Sequence, residues 1–217
     1  MNSMPAQATF QADLIMPLYN PVDDIPFCLD SYLIKLEEHI KNQILKPKST
    51  NISYDILDTE KTKKDKFIAL RERQRQMMIG DIWQYVFGNY GSFKDLGVGH
   101  VTGLDILSLK RKIICEVKNR TDTVNSGSLK TVLDKLASFK KANPDYTVIF
   151  GNINDAKKAK DEEAQKKNTM EGKINIRTHD GVEIHHYIGM QFIQLILGDD
   201  ADRIIEFIKT TIDKYTI

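Results

Sequence analysis

Two carboxylates and one lysine stand within a short apolar stretch of this 217-residue chain. Asp105 lies in the apolar run 104–109, and Glu116 and Lys118 belong to a second apolar run that begins at Ile113. Paired carboxylates hold a divalent cation, and a neighbouring lysine orients and activates an attacking water, as metal-assisted phosphodiester cleavage requires. The stretch therefore predicts a nuclease site formed by Asp105, Glu116 and Lys118.

A hairpin would bring these three residues together. Both runs are rich in strand-forming side chains, and Lys110 and Arg111 occupy the turn between them. With those two residues at the tip, the numbers of paired residues sum to 221, so Asp105 lies opposite Glu116. Side chains alternate along a strand, so Glu116 and Lys118 share one face. A three- or four-residue loop is the alternative, and a slip of one residue would turn Asp105 to the opposite face.

The acid-x-Lys pattern alone is weak, because it begins three times in the chain, at Glu116, Asp155 and Glu171. Only the pattern at Glu116 lies in a strongly apolar strand with an acid on the neighbouring strand. Charged groups in such strands are costly unless they are paired or bind a metal, so the context favours a functional site. The structural alternative is an edge hairpin whose Glu116 and Lys118 lie in water.

Length and composition are those of a soluble globular protein. Apolar residues make up 41% and charged residues 28% of the chain, which is ordinary for a globular fold. We expect a single nuclease domain over residues 1–217, with a helical N-terminal embellishment at 1–60, a catalytic core at 62–154 and a C-terminal part at 155–217.

Compartment and membrane signals point to the cytoplasm. No apolar run approaches the roughly 18 residues of a membrane span, and residues 1–27 lack the basic start and apolar block of a signal peptide. Cys28 and Cys115 are far apart and in no metal-binding spacing, as expected for two free thiols in a reducing compartment.

Positive charge is concentrated around the candidate site although the whole chain carries only +1. Residues 110–141 contain nine lysines or arginines and three acids, a net +6, which leaves −5 for the remainder. Such a distribution suits a phosphate-binding surface. The alternative is an ordinary solvated helix face.

Hydrophobic periodicity predicts alternating helices and strands. Helices are predicted at 28–46, at 62–88, from 129 to near 144, at 190–197 and from 199 or 200 to 215, and further strands at 146–150 and 182–188. The order strand, helix, strand after the hairpin favours a right-handed crossover and a mixed sheet. Residues 155–173 are predicted to form an exposed helix or a mobile loop.

With Gly103-Leu104-Asp105 followed by Glu116-Val117-Lys118-Asn119, the sequence resembles the PD-(D/E)xK nuclease superfamily. Within it, the chain looks like the type II restriction endonucleases that cut GGNCC or GGWCC sites. Further similar segments are Ile79-Gly80-Asp81, residues 96–99, Asn125-Ser126 and Leu197-Gly198-Asp199. The likeness spans roughly residues 70–215. Leu104 stands where the family usually has valine or isoleucine, and residues 120–124 also depart from its pattern.

The resemblance implies an α/β fold with a restriction-endonuclease-like core, a mixed β-sheet flanked by helices. It implies a Mg²⁺ ion held by Asp105, Glu116 and the Val117 carbonyl, with Lys118 positioning the hydrolytic water. The implied function is sequence-specific hydrolysis of double-stranded DNA. A palindromic target implies a homodimer, with residues 60–75 or the first helix as candidate interfaces.

Polar residues after the second strand are the candidate DNA contacts: Asn119, Arg120, Thr123, Asn125, Ser126 and Lys130. Arginine commonly pairs with guanine and asparagine with adenine in base contacts. Arg177, Thr178 and His179 form a second candidate cluster. The alternatives to a restriction enzyme are a repair nuclease or junction resolvase of the same fold, a non-catalytic DNA-binding protein and a plain interaction module.

Overall fold

In a computed structural model of the chain, the structure describes residues 26–53, 55–121, 126–156 and 161–216. The elements in chain order are α1 (Leu29–Leu45), α2 (Glu60–Gly88), β1 (Lys94–Asp95), β2 (Ile106–Ser108), β3 (Ile113–Arg120), α3 (Ser126–Ala142), β4 (Thr147–Asn154), α4 (Glu162–Glu171), β5 (Lys173–His179), β6 (Val182–Ile188), α5 (Met190–Leu197) and α6 (Ala201–Tyr215). They fall into two compact units. One contains the chain from Phe87 to Gly198, and the other contains Cys28–Val86 and Asp199–Ile217.

The first unit is built on a mixed six-stranded sheet with the order β1-β2-β3-β4-β6-β5. The pairs β1/β2, β2/β3 and β5/β6 are antiparallel, whereas β3/β4 and β4/β6 are parallel. Parallel neighbours need a long connection, and α3 supplies it between β3 and β4. The sequence prediction of a mixed sheet with a strand–helix–strand crossover is therefore confirmed.

One face of this sheet packs against α3. Its core contains Leu107, Ile114, Val148 and Ile184 from four different strands, together with Leu136 of α3. The other face meets α5, whose Phe192 is fully buried. Gly151 of β4 lies directly beneath that ring, because a Cβ atom built at Gly151 would approach it to 2.3 Å. Both faces of the central strands are thus covered, as their continuous apolar runs require.

The second unit is helical and consists of α1, α6 and most of α2. Leu36 and Ile40 of α1 and Ile204 of α6 are fully buried, so amphipathic stripes spaced three or four residues apart form its core. The Tyr32 hydroxyl donates to the Val86 carbonyl at 3.1 Å.

The predicted helices are all present with their bounds within a few residues, and residues 162–171 form the exposed helix α4, which buries no side chain. The predictions missed the short strand β1 and the edge strand β5. The α/β class with a mixed sheet flanked by helices is confirmed. The subdivision into segments 1–60, 62–154 and 155–217 stays a prediction. No helix among the described residues combines the length and the apolar character that crossing a membrane requires.

Candidate functional site

The hairpin β2–β3 has the register expected from the sequence. Ile106 pairs with Cys115, and Ser108 pairs with Ile113, so the residue numbers of each pair sum to 221. The connection is a four-residue turn over residues 109–112, in which Lys112 adopts a φ of 52°. Two-residue and four-residue turns that are both centred on Lys110 and Arg111 pair the same residues of the two strands. The prediction of the pairing is therefore confirmed, and the longer loop is the one that forms.

Asp105, immediately before β2, is held by three hydrogen bonds. Its carboxylate Oδ2 accepts a hydrogen bond from the Val117 backbone N–H at 2.7 Å. Its own N–H donates to the Cys115 carbonyl at 3.0 Å, and its carbonyl accepts from the Leu96 N–H at 2.9 Å. Two hydrogen bonds to β3 and one to the segment after β1 thus hold Asp105 beside β3.

Glu116 and Lys118 share the face of β3 that carries the core under α3. The Lys118 Nζ atom lies 2.5 Å from Glu116 Oε1, and the Glu116 side chain is only 6% exposed. The second carboxylate oxygen, Oε2, is buried and accepts no hydrogen bond from any residue that the structure describes. A buried carboxylate oxygen without a donor costs free energy, so this oxygen suits the coordination of a cation.

Burial raises the pKa of both carboxyls. For Glu116, loss of solvent raises the pKa most, and the charge of Asp105 raises it further. The hydrogen bond and charge of Lys118 lower the pKa of Glu116. For Asp105, loss of solvent again raises the pKa most, while the hydrogen bond from Val117 and the charge of Lys118 lower it. Two partly buried carboxyls that repel each other form a site that gains from a divalent cation.

Two further charged residues belong to this environment, and the sequence pattern did not predict that either lies there. Lys135 of α3 donates from Nζ to the Gly103 carbonyl at 3.0 Å, and its charge lowers the pKa of both Asp105 and Glu116. The charge of Asp95 in β1 raises the pKa of Asp105. Gly103 has a φ of 62°, and a side chain there would press on the Lys135 ammonium.

The donor set at the hairpin fits Mg²⁺, a hard cation that prefers carboxylate and carbonyl oxygens. Asp105 and Glu116 offer carboxylate oxygens, and the buried Oε2 of Glu116 has no donor among the residues described here. A separate acidic and histidine cluster, Asp134, His179 and Asp180, brings its ligand atoms within 4.8 Å of one another. In that cluster, Asp134 is already paired with His179 at 2.7 Å.

The predicted DNA contacts are only partly described. Thr123 and Asn125 lie outside the described residues. Asn119 and Arg120 end β3; the Asn119 Oδ1 atom accepts from Asn154 at 2.9 Å, and the Arg120 carbonyl accepts from Asn152 at 3.2 Å.

The remaining two predicted contacts lie on α3. Ser126 begins that helix and is exposed. Lys130 is also exposed, and it pairs with Asp134 at 3.1 Å. The first turn of α3 therefore presents a polar surface to solvent, on the helix that packs against the same sheet face as Glu116.

Comparison with known proteins gives a match over most of the chain. The family model described as Eco47II restriction endonuclease matches residues 18–215. The type II restriction enzyme Eco47II of Escherichia coli is 36% identical over 89 residues, which cover 38% of this chain and 36% of that enzyme. The pairwise match therefore spans little more than a third of the relative.

Proposed function

Because the chain belongs to the Eco47II restriction endonuclease family, we propose that it is a Mg²⁺-dependent type II restriction endonuclease acting on double-stranded DNA. We propose a target of the GGNCC or GGWCC kind and a homodimer that cuts both strands in the cytoplasm. The observation that carries the proposal is the buried Glu116 carboxylate next to Asp105: one oxygen contacts Lys118, and the other has no donor within the described part of the chain.

The proposed chemistry is hydrolysis of a DNA phosphodiester. Bound Mg²⁺ would stabilise the negative charge that develops on the phosphate and lower the pKa of a coordinated water. Asp105 and Glu116 supply the carboxylate oxygens that hold the ion, with the Val117 carbonyl as a third ligand. The Val117 N–H keeps Asp105 oriented, because it donates to Oδ2 at 2.7 Å.

Lys118 is the residue that orients the attacking water in this proposal. Its ammonium group is held by Glu116 Oε1, so it lies beside the carboxylate pair, and an ammonium has two further N–H donors. The positive charge of Lys135 offsets part of the carboxylate repulsion and favours the approach of a phosphate. Asn119, Arg120, Thr123, Asn125, Ser126 and Lys130 are retained as proposed DNA contacts.

A dimer is part of the proposal because a palindromic target presents two symmetry-related phosphodiesters. Phe67 and Ile68 of α2 are exposed apolar side chains, and they lie in the predicted interface 60–75. Exposed apolar residues of this size on one helix support contact with a second copy. Sedimentation of the protein alone and with a target duplex measures the oligomeric state, and a monomer in both samples would contradict the dimer.

The decisive experiment is digestion of phage DNA with and without Mg²⁺, followed by sequencing of the cut ends. Discrete fragments with a common end sequence, formed only with Mg²⁺, are expected. Asp105→Ala, Glu116→Ala and Lys118→Ala are each expected to reduce cutting by about 10³-fold or more, since each removes several kcal/mol of transition-state stabilisation.

Two controls make the result specific. Lys141→Ala removes an exposed lysine of the same basic region, whose contact with Asp180 is a loose 3.8 Å, and is expected to cut normally. A variant in which Asp105, Glu116 and Lys118 are all replaced by alanine and which still cuts DNA would contradict the assignment of the nuclease site to these residues. Cutting confined to branched or damaged DNA would instead identify a structure-specific nuclease.

A further inference from the structure

The edge strand β5 presents polar side chains on the sheet face that carries Glu116. Asn175 pairs with His186, His186 pairs with Phe150, and Phe150 pairs with Glu116. Directly paired residues on neighbouring strands point to the same face. Asn175 therefore lies in the same row as Glu116, three strand spacings or about 14 Å away.

A groove of about 290 Å³ opens between this part of β5 and the neighbouring strands. Its lining includes Asn152, Asp155, Lys173, Asn175, Arg177 and His186. Helix α3 packs on β4 and β6, and the lining includes only Leu129, near the start of that helix. The groove is therefore the part of the catalytic face that α3 leaves open.

The floor of the groove is rigid. Asn152 and His186 are 1% and 5% exposed, and the His186 Nε2 atom lies 2.6 Å from Asn152 Oδ1. The Asn152 amide nitrogen donates to the Arg120 carbonyl at 3.2 Å, which fixes the orientation of the amide. Buried polar side chains held in this way define a preorganised site.

The rim offers the groups that a ligand can contact. Arg177 is partly buried and makes no hydrogen bond or ion pair with any residue in the described ranges, whereas Lys173 is paired with the buried Asp155. Asn175 is exposed beside Arg177, two positions away on the same strand face. Alternation sends Thr178 to the opposite face, and His179 is held by Asp134 at 2.7 Å.

We infer that Asn175 and Arg177 read base edges of the DNA target in this groove. The inference rests on the proposed function. It assigns base contacts to Asn175 and Arg177 and none to Thr178 and His179. An arginine fork matches the two acceptors of guanine, and an asparagine amide offers a donor and an acceptor together, as adenine requires. A phosphate has only acceptors, so the amide of Asn175 would be half used there. The distance of about 14 Å between Asn175 and Glu116 corresponds to roughly four base-pair steps.

The test compares full-length Arg177→Lys, Asn175→Ala and the control Thr178→Ala. Each is first checked for a normal thermal unfolding transition. Arg177→Lys keeps the charge and loses the two-pronged contact. The measurements are kcat/KM on the wild-type cut site, kcat/KM on sites with one changed base pair, and the salt dependence of binding to unrelated DNA.

We expect Arg177→Lys and Asn175→Ala to lower kcat/KM on the wild-type site by about 5- to 150-fold. For each variant, the loss of kcat/KM should be smaller on DNA in which the base pair read by the substituted residue has been changed. The sequence preference should therefore relax at that one base position. Binding to unrelated DNA should keep its salt dependence, and Thr178→Ala should match the wild type in every measurement.

Three results would overturn the inference. One is unchanged rate and preference in both variants. Another is a loss of kcat/KM that is equal on all DNA sequences. If a further variant, Arg177→Gln, then binds unrelated DNA with a salt slope smaller by about one, Arg177 contacts a phosphate. The third is a loss of the unfolding transition in Arg177→Lys and Asn175→Ala alike, because conservative changes at a partly exposed rim should leave the fold intact.

A binding experiment separates this inference from the proposed function. Duplexes of random sequence are selected on the Glu116→Gln background, which lacks a proposed metal ligand, with and without Arg177→Lys. Enrichment of a motif that Arg177→Lys relaxes at one position supports the inference even if the wild type cuts no DNA. Absence of any enriched motif overturns it, whereas absence of cutting alone overturns only the nuclease proposal.

Discussion

The Asp105 carboxylate accepts a 2.7 Å hydrogen bond from the backbone N–H of Val117, the residue between Glu116 and Lys118. This contact fixes one proposed metal ligand to the backbone that presents the other two proposed catalytic side chains. A single hydrogen bond therefore links the geometry of the acid just before β2 to that of the acid and the lysine on β3.

Asp105→Asn and Asp105→Ala should separate the structural and catalytic parts of this link. Asparagine keeps an oxygen for the Val117 N–H, so its free energy of unfolding should equal or exceed that of the wild type. Alanine leaves the N–H without its acceptor and should cost about 1–3 kcal/mol. Both variants should lose DNA cutting by about 10³-fold or more. Urea unfolding and fragment assays measure the two effects, and an active Asp105→Asn variant would contradict the metal-ligand role.

Glu116→Gln should stabilise the metal-free protein at neutral pH. Folding raises the pKa of Glu116, so the folded state binds a proton more readily than the unfolded chain does. The charged glutamate therefore costs stability above its folded pKa, and this cost disappears as the pH falls below its unfolded pKa. The gain in Tm of Glu116→Gln over the wild type should accordingly shrink towards zero in acid.

Thermal melts in EDTA across pH 4–8 test this, and Mg²⁺ should then raise the Tm of the wild type more than that of Glu116→Gln. Glu171→Gln is a matched control, since Glu171 also begins an acid-x-Lys pattern but is exposed on α4. A Tm difference between Glu116→Gln and the wild type that stays constant with pH would contradict the burial argument.

The hairpin was predictable because its signals are local. The apolar runs around Asp105 and Glu116 are short, and the polar pair Lys110 and Arg111 leaves one symmetric place for the turn. The four-residue turn that forms keeps the predicted pairing, so an error in loop length did not change which side chains meet.

Strand β5 was missed for a physical reason. Ile174 and Ile176 alternate with polar residues, which is a strand signal, but the lysine- and glutamate-rich run before them indicated an exposed segment. Both isoleucines are in fact exposed, as an edge strand permits. The place of Lys135 could not be predicted, because it depends on how α3 crosses the sheet, and residues distant in sequence decide that.

Lys135→Met should move the pH dependence of cutting. The Lys135 ammonium lowers the pKa of both Asp105 and Glu116, so its removal should raise both pKa values further. Metal binding requires the deprotonated carboxyls. The acid limb of the kcat/KM profile should therefore shift to higher pH, and added Mg²⁺ should shift it back.

Lys141→Met tests whether the effect is local, because Lys141 lies on the same helix and pairs loosely with Asp180 at 3.8 Å. Its pH profile should match that of the wild type. Lys135→Met with reduced activity but an unmoved acid limb would show that Lys135 acts only by holding the Gly103 turn.

Gly151→Ala should destabilise the sheet from behind the candidate site. Gly151 pairs with Val117, and an added Cβ would lie 2.3 Å from the Phe192 ring of α5. The cost should be about 1–3 kcal/mol, because overpacking a filled core forces the ring or the strand to move.

Gly80→Ala is the control: nothing lies within 4 Å of its Cβ position in α2, so alanine there should stabilise by about 0.5–1 kcal/mol. Adding Phe192→Leu to Gly151→Ala should restore part of the lost stability, since the smaller side chain leaves room for the methyl group. Strictly additive free energies in urea unfolding would mean that the ring is not the obstacle.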